Sequence, residues 1–151
     1  MKIYIAAPFF DAKQLALVEE VESTIDSVPG LTYYSPRKDG VLMAMTPEER
    51  KQKSREIFGL NIRHMSSSHA MVALLNDKDT GTTFELGYMF GYAKMLPVVG
   101  FKTGGNNINV MLQYALSAQA ATFEQLRDIL EAIAADERPL PHAITNTARV
   151  Y

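Results

Sequence analysis

The 151 residues contain no cysteine. That excludes disulfides, a thiolate nucleophile and any Cys-based metal site, and it fits a cytoplasmic protein. Excess charge is also missing. The formal net charge is −2, so the basic footprint of a nucleic-acid binder is not there. No apolar run approaches the roughly 20 residues that span a bilayer. The start, Met1 to Ala7, could pass for a short secretory signal. Its apolar part is broken by Pro8 and ended by Asp11, so it reads as a first strand. Neither a Walker loop nor a G-x-S-x-G elbow occurs, and Gly100 to Gly105 does not form G-x-G-x-x-G. His64 and His69 are five apart, which matches no helical ligand pair or zinc spacing. Both read as structural or surface residues, and no metal site is expected.

What is present is an alternation of strand and helix patterns. Strands are expected at Lys2–Ala7, Leu31–Tyr34, His69–Leu75, Leu96–Phe101 and Gln119–Ala121. Helices are expected over Asp11–Ser27, Thr46–Ser66, Thr83–Met95, Ile108–Ser117 and Thr122–Ala135. Thr46-Pro47-Glu48-Glu49 is a helix start with a proline at its first position and a capping-box glutamate. This alternation implies a parallel sheet with helices on both faces. Five strands in a chain of this length suggest one flavodoxin-like, doubly wound α/β domain, order 2-1-3-4-5, over 1–151. The tail from about residue 136 carries Pro139 and Pro141 and has little to pack on within a small domain. It is expected to close a site or a subunit interface.

The segment Asp77 to Tyr88 stands where a strand hands over to a helix, the edge at which open α/β sheets bind ligands. Glu85 falls in the first turn of the expected helix, near the positive end of the dipole. An ionised carboxylate there can be a nucleophile. Thr82-x-x-Glu85 is equally a capping box, a pattern repeated at Thr46-x-x-Glu49 and Thr122-x-x-Gln125. Asp79 is either a turn residue or a hydrogen-bond acceptor at the strand end. Tyr4 is either an ordinary strand tyrosine or a hydroxyl that holds a carboxylate in place. Phe9 and Phe10 are either core or an apolar wall for a flat ring.

With these residues placed, the chain resembles a nucleoside 2-deoxyribosyltransferase over nearly its whole length. The resemblance rests on Ile3-Tyr4-Ile5-Ala6-Ala7-Pro8-Phe9-Phe10, Ser35-Pro36-Arg37, Asp79-x-Gly81-Thr82-x-x-Glu85-x-Gly87-Tyr88, Asn109-Val110-Met111 and the final Val150-Tyr151. It implies that Glu85 attacks C1′ of a 2′-deoxynucleoside and expels the base. A second base would then capture the deoxyribosyl ester, with net retention, in nucleoside salvage. Tyr4 would orient Glu85. Asp79, with Asn109 from a neighbouring subunit, would bind the sugar 5′-hydroxyl, and Gly81 and Met111 would belong to the binding site. Phe9 and Phe10 would flank the base, and Tyr151 would sit near the site. Such proteins are homo-oligomers built from dimers, often hexamers, with shared active sites and no cofactor. The expected partners are deoxynucleosides and free nucleobases.

Two positions bear on the substrate. Related hydrolases of deoxynucleoside 5′-monophosphates carry small hydroxyl residues where this chain has Asp79 and Asn109. A carboxylate there repels a phosphate dianion, which favours a free nucleoside. Many members have an aspartate close to the base where this chain has Asn61. An amide cannot act as a general acid but can hydrogen-bond a base edge, and purine-preferring relatives can carry it. The alternatives are a hydrolase with the same nucleophile, in which water is the acceptor, and a nucleoside-sensing module without catalysis. A phospho-receiver domain would need an acidic pair after the first strand, where Pro8-Phe9-Phe10-Asp11 stands instead.

Overall fold

The computed structural model describes residues 1–39, 46–92, 96–105 and 107–144. The elements alternate: β1 (Lys2–Ala6), α1 (Ala12–Asp26), β2 (Thr32–Tyr34), a 3-10 turn (Pro36–Asp39), α2 (Pro47–Ser66), β3 (Ala70–Leu74) and α3 (Thr80–Tyr92). They continue as β4 (Val98–Phe101), α4 (Val110–Gln113), β5 (Ala118–Ala120) and α5 (Phe123–Ala134). The five strands form one sheet in the order β2-β1-β3-β4-β5, and every neighbouring pair is parallel. The expected doubly wound α/β fold is therefore observed.

The period of two along β1 explains how the core divides. Ile3 and Ile5 join Val72, Leu74, Val99 and Phe101 beneath α1 and α5, with Val18, Val21, Ile25, Leu126, Ile129 and Ile133 packed against them. Tyr4 and Ala6 point the other way. They join Met71, Ala73 and Val98 beneath α2 and α3, with Met65, Leu86, Met89 and Leu116. Gly100 leaves room there for Leu116, whose Cδ1 stands 2.4 Å from where a Cβ would lie.

Local signals set most helix starts. Asp11 caps α1 through a 2.8 Å bond from the Gln14 amide. Thr46 and Glu49 form the expected capping box. The first part of the tail packs on its own chain. Leu140 is buried in the α1/α5 core. The Gln119 amide donates to the His142 carbonyl, and the Ile144 amide donates to the Ser117 carbonyl. Residues up to Ile144 thus cover the open edge of β5 on their own chain, which shields it from foreign strands. Residues 145–151, Tyr151 included, lie outside the described residues.

Candidate active site

The start of α3 departs from the sequence reading. The helix begins at Thr80, three residues earlier than expected. Its cap is Asp79, whose Oδ2 accepts a 2.6 Å bond from the Thr82 amide. Asp79 wins because its carboxylate reaches the free amides of the first turn directly. The Thr82 hydroxyl is buried and has no hydrogen-bond partner among the described residues, so Thr82-x-x-Glu85 is not a capping box. Glu85 lies in the second turn, and its carboxylate is not committed to the helix end.

That carboxylate is held by the sheet instead. The Tyr4 hydroxyl donates to Glu85 Oε1 at 2.6 Å, and Asn61 Nδ2 stands 3.5 Å from the same oxygen. Alternation along β1 aims Tyr4 at the α2/α3 face, and burial of its ring in that core makes the hydroxyl a fixed donor. Burial raises the Glu85 pKa, the Tyr4 bond lowers it and the Asp79 charge raises it, leaving it at about 7. Burial and the Glu85 charge push the Tyr4 phenol far above its ordinary value, so it remains a donor.

Glu85 opens on a cavity of about 390 Å³. Phe9, Phe10 and Pro36 line one part, Ile57 and Asn61 another, and Asp79 to Thr82 the third. Phe9 and Phe10 stack with centroids 5.3 Å apart, and Phe10 is 72% exposed at the mouth. Ile57 and Asn61 share a face of α2 because they are four residues apart. Gly81 keeps the Asp79 side chain in place, since a Cβ there would lie 3.1 Å from Asp79 Oδ2.

Asn109 and Met111 lie elsewhere. They line a separate cavity of about 600 Å³ beside the loops after β3 and β4. Asp79, Thr80 and Thr82 form the wall common to both cavities. Asn109 Oδ1 caps α4 by accepting from the Met111 amide at 2.9 Å, and the Met111 side chain is 78% exposed. Within one chain these two residues do not meet Glu85.

His64 and His69 are structural, as expected. The Lys2 amide donates to His69 Nδ1 at 3.0 Å, and His64 stacks on Tyr34 with centroids 3.6 Å apart. Among the described residues, no group of three or more His, Asp or Glu side chains could hold a metal, and no helix is long and apolar enough to cross a membrane. Sequence reasoning passed over Tyr34 and Asp39. The Tyr34 hydroxyl contacts the Asp39 carboxylate and lies 3.0 Å from Asn61 Oδ1. The strand register supplies what the sequence did not show. In-register pairing of β1 with β2 sets Tyr34 opposite Tyr4, on the same face.

Comparison with known proteins agrees with this architecture. The 2-deoxyribosyltransferase of the psychrotolerant bacterium Bacillus psychrosaccharolyticus, a biocatalyst for nucleoside synthesis, is 25% identical with a TM-score of 0.79, over 95% of this chain and 100% of that one. A conserved protein from Enterococcus faecalis V583 shares the fold at 22% identity and a TM-score of 0.68, over 90% of this chain and 98% of that one. No curated protein matches the sequence. The family profile of nucleoside 2-deoxyribosyltransferases matches residues 3–130, which include Tyr4, Asn61, Asp79, Glu85 and Asn109. By that match, the chain belongs to the nucleoside 2-deoxyribosyltransferase family.

Proposed function

We propose that the protein exchanges the base of 2′-deoxynucleosides through a covalent deoxyribosyl-Glu85 ester. The observation that carries this reading is the Glu85 carboxylate, gripped at Oε1 by Tyr4 at 2.6 Å and facing a cavity with an aromatic wall. Tyr4 and Asn61 both engage Oε1, which leaves Oε2 as the attacking oxygen. A bond forms from Oε2 to C1′ as the N-glycosidic bond breaks, and the bonding pair leaves with the base. A second base then attacks C1′, the carboxylate leaves, and two inversions give net retention. This is pentosyl transfer between free bases, the chemistry of nucleoside salvage, and it calls on no cofactor.

Placement supports the other roles. Phe9 and Phe10 stack against the base, and Asn61 offers an amide to its edge. Asp79 retains Oδ1 as an acceptor for the sugar 5′-hydroxyl, while its Oδ2 caps α3. A carboxylate on that wall disfavours a 5′-phosphate, so deoxyinosine is expected to be used well ahead of its 5′-monophosphate. Asn109 and Met111 reach a Glu85 site only from a second copy. The exposed Val110 and Met111, and the exposed Phe58, Phe84 and Tyr92 on α2 and α3, supply apolar area for such a homo-oligomer. Tyr151 would lie near the shared site, and the reaction belongs in the cytoplasm.

The test is chromatography of purified protein with deoxyinosine, with and without adenine. Deoxyadenosine formed only with adenine supports exchange. Hypoxanthine released at one rate in both tubes, with no new nucleoside, would replace it with a hydrolase. No reaction with deoxyinosine, thymidine or their monophosphates would leave a sensing module. Thymidine consumed well ahead of deoxyinosine would sink the purine preference that Asn61 suggests.

A further inference from the structure

Asn61 stands between two hydrogen-bonding systems. Its Nδ2 faces Glu85 Oε1 at 3.5 Å, and its Oδ1 faces the Tyr34 hydroxyl at 3.0 Å. Tyr34 also touches the Asp39 carboxylate. The phenol carries one proton and has two acceptors before it. Burial and Asp39 push the Tyr34 pKa well above its ordinary value, with Arg63 opposing, so the group stays a phenol. Its ring cannot turn away. It stacks on His64 at 3.6 Å and 6° and lies 5.6 Å from the Tyr4 ring.

The destination of that one proton decides how Asn61 is oriented. If Tyr34 donates to Asn61 Oδ1, the amide keeps Nδ2 towards Glu85 and supports the carboxylate. If Tyr34 donates to Asp39, its oxygen becomes an acceptor towards Asn61. The amide then gains by turning Nδ2 to Tyr34 and Oδ1 to Glu85. An amide oxygen repels the Glu85 anion and accepts from the neutral acid. We propose that Tyr34 is a positioning residue: with Asp39 it sets which end of the Asn61 amide meets Glu85, and so sets how readily the nucleophile ionises. This rests on the proposed role of Glu85 only for its catalytic consequence, since the linkage is a property of the protein alone.

The groups around this chain are few. Glu85 faces Tyr4 from β1, Asn61 from α2 and Asp79 at the head of α3. Tyr34 faces Asp39 of the 3-10 turn, and Arg63 and His64 of α2. His64 is held below its ordinary pKa by burial and by Lys2, with Asp39 opposing. The charge that acts on Glu85 directly is that of Asp79. Asp39 acts on Tyr34.

The experiment is a titration of the Glu85 side-chain carbon by NMR, with Glu85→Gln to assign the signal. It compares wild type, Asp39→Leu, Tyr34→Phe and the double variant. Asp39→Leu removes the competing acceptor and leaves the Tyr34 proton to Asn61, and the Glu85 midpoint should fall by about 0.5–1 pH unit, the size of one long hydrogen bond to a carboxylate. In the Tyr34→Phe background the same change should move it by less than about a third of that. Equal shifts in both backgrounds would mean a through-space field and overturn the proposal, as would no shift in either. Thermal melts confirm that each variant is folded at the titration temperature. In an active protein the acid limb of kcat/KM for base exchange should move with the midpoint. An inactive protein that still shows the linkage would refute the enzymatic reading alone. An active one without the linkage would refute this inference alone.

Discussion

Glu22 and Glu85 both project inward from helices, and they end in opposite electrostatic states. Glu22 on α1 is 4% exposed. Burial alone would raise its pKa. Bonds from Arg37 and Ser35, and the charges of Arg37 and Lys38, outweigh burial and hold it at about 2. Arg37 grips it in a fork, Nε to Oε1 and Nη2 to Oε2, both at 2.7 Å. Glu85 is also withdrawn from water, but it has one phenol and a distant amide for partners and a like charge for a neighbour. Its pKa is driven up to about 7. A glutamate paired with arginine is a structural anchor; here it ties α1 to the turn that carries Pro36 into the cavity wall. A glutamate denied a cation keeps its electron pair available and its proton exchangeable near neutrality.

The contrast is broken most sharply by removing each charge in turn. Glu85→Gln should lower the rate of base exchange by a thousandfold or more, on the scale of losing a nucleophile, while circular dichroism shows an intact fold. Glu22→Gln should leave exchange per folded molecule within about threefold. A Glu85 variant that retains most of its rate would end the proposed mechanism.

Stability should respond the other way round. Glu22→Ala leaves Arg37 without its buried partner and should cost about 3 kcal/mol in urea unfolding. Glu85→Gln should cost little at pH 4 and should stabilise the protein above pH 7. The sign follows from the direction of the shift. The folded-state value is raised, so the native protein binds more protons than the unfolded chain between about pH 4.5 and 7. The stability linked to Glu85 is full below that window and is lost as the pH rises through it. The expected gain of the glutamine variant at pH 8 is about 3 kcal/mol. Glu22 runs oppositely: its contribution is present above about pH 4.5 and is lost as the pH falls towards 2. Melting temperatures of the three proteins from pH 3 to 8 separate the two windows.

The smallest expected effect is a shift of profile. Tyr4→Phe removes the bond that lowers the Glu85 pKa, so the acid limb of kcat/KM should move up by about 0.5–1 pH unit. A downward shift would mean that Tyr4 favours the neutral acid.

Much of this was legible in the chain. The alternation of apolar runs with periodic segments announced the parallel sheet and its order. Tyr4, Asp79 and Glu85 were candidates from residue type and position alone. The start of α3 was misread because Asp79 and Thr82 are both good caps, and only the reach of each side chain decides between them. Tyr34 was missed because a tyrosine in a short strand has no local signature. Its partners come from α2 and from the 3-10 turn, 27 and 5 residues away. The packing of residues up to Ile144 on their own chain was not legible, because it depends on β5 having an open edge.

The sequence by itself determined the α/β class, the places of the strands and helices, the family, and the residue types that carry the chemistry. Those properties depend on local periodicity, capping and motif spacing, all of which act over a few residues. Only the tertiary structure decided the electrostatic state of each glutamate. A pKa is set by what surrounds a group in space. Arg37 stands beside Glu22, whereas Tyr4, Asn61 and Asp79 stand beside Glu85, because of how the sheet register and helix packing bring distant segments together. The same packing placed Asn109 and Met111 across a wall from Glu85, a separation that the order of residues along the chain does not show.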